Sequence, residues 1–149
     1  MKKPFQIEAL KKTLQGRLSG SPVSLAYLYG SYASGTFTDR SDIDIALVFR
    51  EKIDNRNALK YELNLAVWLD DKFKAEFDVR NITNAPLKIQ GEVVTHGILL
   101  YSSDEDFRIK YEVRIRNRYF DFLPSLRTMQ KIFFQSIKER GLLDTTTNH

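Results

Sequence analysis

The segment Asp42-Ile43-Asp44-Ile45-Ala46-Leu47-Val48-Phe49 constrains this chain more than any other. Two aspartates alternate with isoleucine at its start, and from Ile45 onward the run is apolar without a break. Side chains on a strand point alternately to opposite faces, so a continuous apolar run needs cover on both sides. This is the pattern of a central strand that leaves a site at its acidic opening and enters a core. Asp42 and Asp44, two apart, project from one face with origins roughly 6 to 7 Å apart.

The remaining elements supply the cover. Ile7, Leu10, Leu14 and Leu18 recur at helical spacing, so Lys2 to Leu18 reads as an amphipathic helix stopped by Gly20-Ser21-Pro22. Val23 to Tyr29 is a strand that delivers a flexible loop, Gly30 to Gly35. Ala58, Tyr61, Leu65, Trp68 and Leu69 mark a core-facing helix over Asn55 to Asp71, with Asp54 or Asn55 as its N-cap. Ala75 to Ile82 alternates at period two, which sets Glu76, Asp78 and Arg80 on one face and Phe77 and Val79 on the other. A short helix over Leu87 to Thr95 and a short strand over Gly97 to Tyr101 follow. From Asp106 the pattern is helical to about Arg140, with a kink expected before Pro124 and fraying after Gly141. The order predicts an α/β (α+β) sheet covered by helices with a long C-terminal helical segment. Nothing demands a domain boundary: residues 1–149 read as one unit, with a core over residues 1–105 and a helical extension over residues 106–140.

Composition removes several chemistries. There is no cysteine, hence no disulfide framework, thiol nucleophile or thiolate metal site, and two histidines are too few for a His-ligated zinc. No apolar stretch reaches the roughly 18 residues of a membrane span, and Met1-Lys2-Lys3-Pro4 precedes an amphipathic run rather than a secretory h-region. A cytoplasmic protein is expected. The net charge of +4 is uneven: residues 1–105 hold 14 Lys/Arg against 14 Asp/Glu, residues 106–140 hold 9 against 4.

Asp78 is a third acid beside Asp42 and Asp44, and three carboxylates on one sheet face repel unless a cation lies among them. Only oxygen ligands are on offer, which suits a hard ion such as Mg²⁺; Glu76, on the same face, is a rival for the third position. Upstream, Gly30-Ser31-Tyr32-Ala33-Ser34-Gly35-Thr36 can bring backbone N–H groups and the Ser31 hydroxyl against a phosphate. It is not a P-loop, since Thr36 stands where that motif needs lysine, and Gly-x-Ser-x-Gly is not satisfied around Ser31 or Ser34.

Gly30-Ser31, ten residues, then Asp42-Ile43-Asp44 resembles the signature of the nucleotidyltransferase superfamily typified by DNA polymerase beta. The third acid in Glu76-Phe77-Asp78-Val79, Asn84-Ala85-Pro86-Leu87, Gly97-Ile98-Leu99-Leu100-Tyr101 and Arg118-Tyr119-Phe120-Asp121-Phe122 resemble minimal nucleotidyltransferase (MNT) antitoxins, which are paired with HEPN-domain toxins. The resemblance covers nearly the whole chain. It implies transfer of AMP from ATP to a tyrosine hydroxyl of a cognate HEPN ribonuclease, with two Mg²⁺ ions about 3.5 to 4 Å apart held by Asp42, Asp44 and Asp78. Asp78 would also accept the hydroxyl proton, and Gly30 and Ser31 would hold the β and γ phosphates. Members commonly carry arginine between the alanine and second glycine of the loop; this chain has Ser34 there, and Arg40 is the candidate replacement.

Ile115, Tyr119, Phe122, Leu126, Met129 and Phe133 form a stripe expected to pack on the chain's own sheet, with a partner interface as the alternative. Lys110, Arg114 and Arg118 form a second line, a solvated face or an anion dock. Two other functions stay open: an antitoxin that neutralises its partner by binding alone, and a small-molecule nucleotidyltransferase. Nucleic acid is not expected as a substrate, since no basic patch interleaved with aromatics accompanies the acids.

Overall fold

The structure is a computed structural model that describes residues 6–147, with side chains described through Gly141. Its order is α1 (Ile7–Leu18), β1 (Val23–Tyr29), α2 (Ser31–Ser34), β2 (Ile43–Phe49), α3 (Asn55–Phe73), β3 (Phe77–Asn81), α4 (Leu87–His96), β4 (Ile98–Ser102) and α5 (Glu105–Thr147). The four strands form one sheet in the order β3-β2-β1-β4, with β2 and β3 parallel and the other neighbours antiparallel. This is the mixed α/β architecture with a long C-terminal helix that the sequence predicts.

The two faces of β2 enter two separate cores, as its apolar run requires. Ile43, Ile45, Leu47 and Phe49 pack with Leu10, Leu14 and Leu18 of α1 and with Leu65 and Leu69 of α3. Ala46 and Val48 pack with Tyr27, Val93, Val94, Tyr111 and Ile115 under α4 and α5. The three α1 leucines are fully buried, each contributing about 2 kcal/mol. Asp54 caps α3, its Oδ1 accepting the Asn57 N–H at 2.7 Å, and Lys74 ends that helix in the left-handed region at φ 53°.

Buried polar contacts fasten α5 and α4. The Tyr27 hydroxyl donates to Glu112 Oε1 at 2.8 Å, and Glu112 Oε2 accepts from Arg108 at 3.0 Å. The Tyr111 hydroxyl donates to Gln90 Oε1 at 2.8 Å, and Gln90 Nε2 donates to the Ala85 carbonyl at 2.7 Å.

Three expectations are corrected. Gly30 to Gly35 is not a loop throughout: Ser31–Ser34 closes one helical turn, with the Ser34 N–H on the Gly30 carbonyl at 3.1 Å. The C-terminal helix does not stop near Arg140 but runs through Pro124 and Gly141 to Thr147; a lone glycine costs about 1 kcal/mol against alanine, too little to end a helix where no other element competes for its residues. The C-terminal stripe is covered only in its first part: Ile115 and Tyr119 are buried, whereas Met129 and Phe133 are 60% and 61% exposed. The sheet ends before the helix does. The expected helix start at Lys2 lies outside the described residues; α1 is described from Ile7.

Candidate active site

Tyr29, Asp44 and Asp78 form one row across three strands. Tyr29 is opposite Asp44 in the antiparallel pairing of β1 with β2, and Asp44 is opposite Asp78 in the parallel pairing of β2 with β3. Period-two alternation sets them on the face that carries α4 and α5, at the end of the sheet those helices leave open. Asp42 lies just ahead of β2 and is exposed. Glu76 lies just ahead of β3 and is also exposed; its carbonyl accepts the Ile43 N–H at 2.8 Å. Asp78 is thus the acid in register with Asp44, and Glu76 stands one pleat further out.

The electrostatics follow from this crowding. Partial burial and the charges of Asp78 and Asp42 push the Asp44 carboxyl above the usual aspartate range, and Arg80 opposes the shift. Burial, with Asp44 and Asp78 adding to it, pushes the Tyr29 phenol up to about 12, so it stays protonated at neutral pH. Arg80 is the counter-charge that the sequence reading did not identify: its Nε donates to Asp78 Oδ2 at 3.1 Å. Its place on the same strand face, two residues on, was the available signal. Among the described residues no three acidic or histidine side chains gather into a ready cation cage; Asp78 leans on Arg80 instead.

Gly30 joins β1 to α2 at φ 70° and ψ −149°, a conformation reserved for glycine. A Cβ there would run into the Asp44 carboxylate. The loop thus lies directly over the acid. Ser31 begins α2, a single turn closed by the Ser34 N–H on the Gly30 carbonyl. Ser34 is committed to its own turn, with Oγ 2.8 Å from Thr36 Oγ1. Arg40 is exposed on the loop between α2 and β2 and makes no ion pair among the described residues.

A cleft of about 720 Å³ opens beside this row. Tyr29, Gly30 and Arg80 line it from the strands and the glycine turn, Ile89 and Val93 of α4 give it an apolar wall, and Tyr119 of α5 lines it as well. Periodicity does not reveal such a cleft, because its walls come from elements distant in sequence.

The polymerase beta nucleotidyltransferase model matches residues 8–106. The protein adenylyltransferase MntA of Shewanella oneidensis is 33% identical over 84 residues, covering 56% of this chain and 58% of that protein. The chain therefore spans little more than half the length of that relative. A chain of the solved complex between a tri-AMPylated Shewanella oneidensis HEPN toxin and an MNT antitoxin superposes with a TM-score of 0.63 at 21% identity, over 87% of this chain and 99% of that one. A chain of a toxin–antitoxin crystal structure with AMP-PNP gives 0.61 at 23% identity, over 90% and 99%. At these identities the superpositions show the fold, and with the adenylyltransferase match they agree with the resemblance drawn from the residues. With the family model spanning two thirds of its length, the chain belongs to the polymerase beta nucleotidyltransferase family.

Proposed function

We propose that this chain is the adenylyltransferase antitoxin of a toxin–antitoxin pair, acting in the cytoplasm and transferring AMP from ATP to a tyrosine hydroxyl of a HEPN-domain ribonuclease. The observation that carries the reading is the row Tyr29–Asp44–Asp78 with Gly30 folded over Asp44. A chain has little reason to press a glycine turn against a crowded, partly buried carboxylate unless that carboxylate holds something.

Asp42, Asp44 and Asp78 offer only oxygen donors, and the raised Asp44 marks an excess of negative charge that a hard divalent ion relieves. Their donor chemistry suits Mg²⁺, with Asp78 exchanging Arg80 for the ion, and two ions there would supply charge neutralisation for the transferring phosphoryl group and the leaving pyrophosphate. The Ser31 hydroxyl and the Gly30–Ser31 backbone hold the β and γ phosphates, with Arg40 as an unpaired cation available to the triphosphate. The acceptor oxygen forms a bond to the α phosphorus as the bond from that phosphorus to the bridging oxygen breaks. Pyrophosphate departs, and Asp78 takes the hydroxyl proton, with Arg80 orienting its carboxylate. Residues 1–149 act as one unit in this reading, residues 1–105 bearing the chemistry and residues 106–140 extending it.

The test is label transfer from ATP carrying a radioactive α phosphate, with Mg²⁺ and the HEPN-domain protein encoded beside this gene. Transfer that disappears in Asp42→Ala/Asp44→Ala supports the reading. Absence of transfer in the wild type, or transfer undiminished in the double variant, overturns it, and neutralisation that survives loss of both aspartates points to binding alone.

A further inference from the structure

The stripe that buries Tyr111, Ile115 and Tyr119 of α5 against β1 and α4 continues along the same side of the helix past the end of the sheet. Phe122, Leu126, Met129, Phe133 and Ile137 carry it on at spacings of four and three, and the last three are 60%, 61% and 50% exposed. Nothing in the chain's own chemistry needs this face to be apolar. The basic residues Arg127, Lys131 and Lys138 fall on the other side of the helix, so the stripe is left free of charge down to Arg140.

The stripe also begins at the active site. Tyr119 lines the cleft together with Tyr29, Gly30 and Arg80, and Phe122 lies about one turn further along the helix. A body seated on the stripe therefore adjoins a residue that lines the cleft. The stripe alone is a small interface: Phe122 to Ile137 spans about 24 Å at 1.5 Å per residue and offers on the order of a few hundred Å², against about 800 Å² per partner for a stable association. An occupant must therefore gain contacts beyond the helix, and the contiguous ground is the cleft.

We infer that the exposed face of α5 from Phe122 to Ile137 is the docking track for the polypeptide that accepts AMP, a protein with an apolar helical face beside its acceptor hydroxyl. The inference rests on the proposed adenylyltransferase function. It separates a protein substrate, which needs such a track, from a small molecule, which does not.

The experiment uses the full chain, the HEPN-domain protein encoded beside its gene, and Met129→Glu/Phe133→Glu. Both positions are exposed, so the variant should melt with the wild type and bind ATP equally well. The expected result is a KM for the HEPN protein raised about tenfold or more, with kcat within about twofold, and restoration by Met129→Leu/Phe133→Leu. An unchanged KM overturns the inference. So does sedimentation showing a wild-type dimer that the variant splits while transfer is unaffected, since the face would then join two copies. If the wild type transfers nothing, the function falls, and calorimetry of the same two proteins still decides docking: binding weakened about tenfold by the variant sustains it, and unchanged binding overturns it.

Discussion

A Cβ at Gly30 would run into the carboxylate of Asp44, so a side chain on the turn that ends β1 and the acid at the opening of β2 compete for one space. Two separate constraints coincide at Gly30: a backbone at φ 70° that disfavours any L side chain, and no room for a Cβ. Gly30→Ala must either flatten the turn or push Asp44 aside. The expected outcome is a loss of about 1 to 3 kcal/mol in denaturant unfolding with AMP transfer reduced by about two orders of magnitude or more, as misplacing a catalytic group does. A variant with full activity would separate the turn from the acid.

Asp44 yields a pH prediction of definite sign. Its carboxyl titrates above the usual range because burial, Asp78 and Asp42 disfavour its charge. A raised carboxyl contributes stability below its unfolded pKa and loses that contribution as pH rises through the folded value. At pH 7 without divalent ions the ionised Asp44 therefore works against the fold. Asp44→Asn should melt above wild type at pH 7 in chelator, by about 1 to 3 °C given the screening of a part-exposed group. The advantage should fade below about pH 4. Thermal melts at the two pH values, repeated with Mg²⁺, check this: added Mg²⁺ should raise the wild type more than the variant.

Glu112 ties α5 to the sheet. It is 7% exposed, and its oxygens receive the Tyr27 hydroxyl and the Arg108 guanidinium. Glu112→Ala strands the Tyr27 hydroxyl in the core and removes the carboxylate facing Arg108, and should cost about 2 to 4 kcal/mol. Tyr27→Phe leaves Arg108 paired and should cost about 1 to 2 kcal/mol. Urea unfolding of both variants measures the difference, and equal losses would show that the hydroxyl alone carries the tie.

How much of this was legible in the sequence depends on how local each signal is. The apolar run from Ile45 to Phe49 required cover on both faces and has two cores. Alternation about Phe77 and Val79 put Asp78 on the face opposite to them, where the register with Asp44 requires it. Arg80 lay on the predicted face, yet nothing in one strand shows that it would take the role of counter-charge before a cation does. The cleft was illegible because β3, α4 and α5 meet there across distant sequence. The stripe beyond Tyr119 was misjudged for a related reason: periodicity shows that a face is apolar, and only the length of the sheet shows where its cover ends.

Gly91 sets the shape of that cleft. It is buried in α4 where α5 crosses, and a Cβ built there would overlap the ring of Tyr119. In an exposed helix Gly→Ala stabilises by up to about 1 kcal/mol; here overpacking opposes it at about 1 to 3 kcal/mol, so Gly91→Ala should be neutral to destabilising. Tyr119 is the residue that must yield, and its displacement moves part of the cleft lining and the last buried residue before the exposed stripe. The expected signature is a KM change with kcat little affected, because Asp44 and Asp78 lie on β2 and β3 rather than on α4 or α5. The pair Gly91→Ala/Tyr119→Ala removes the clash with the ring but keeps the close approach of the two β carbons and empties a buried site, so it should stay less stable than wild type. Denaturation of the single and double variants together with steady-state transfer checks both statements, and a gain of about 1 kcal/mol in Gly91→Ala alone would show that α5 is free to move off α4.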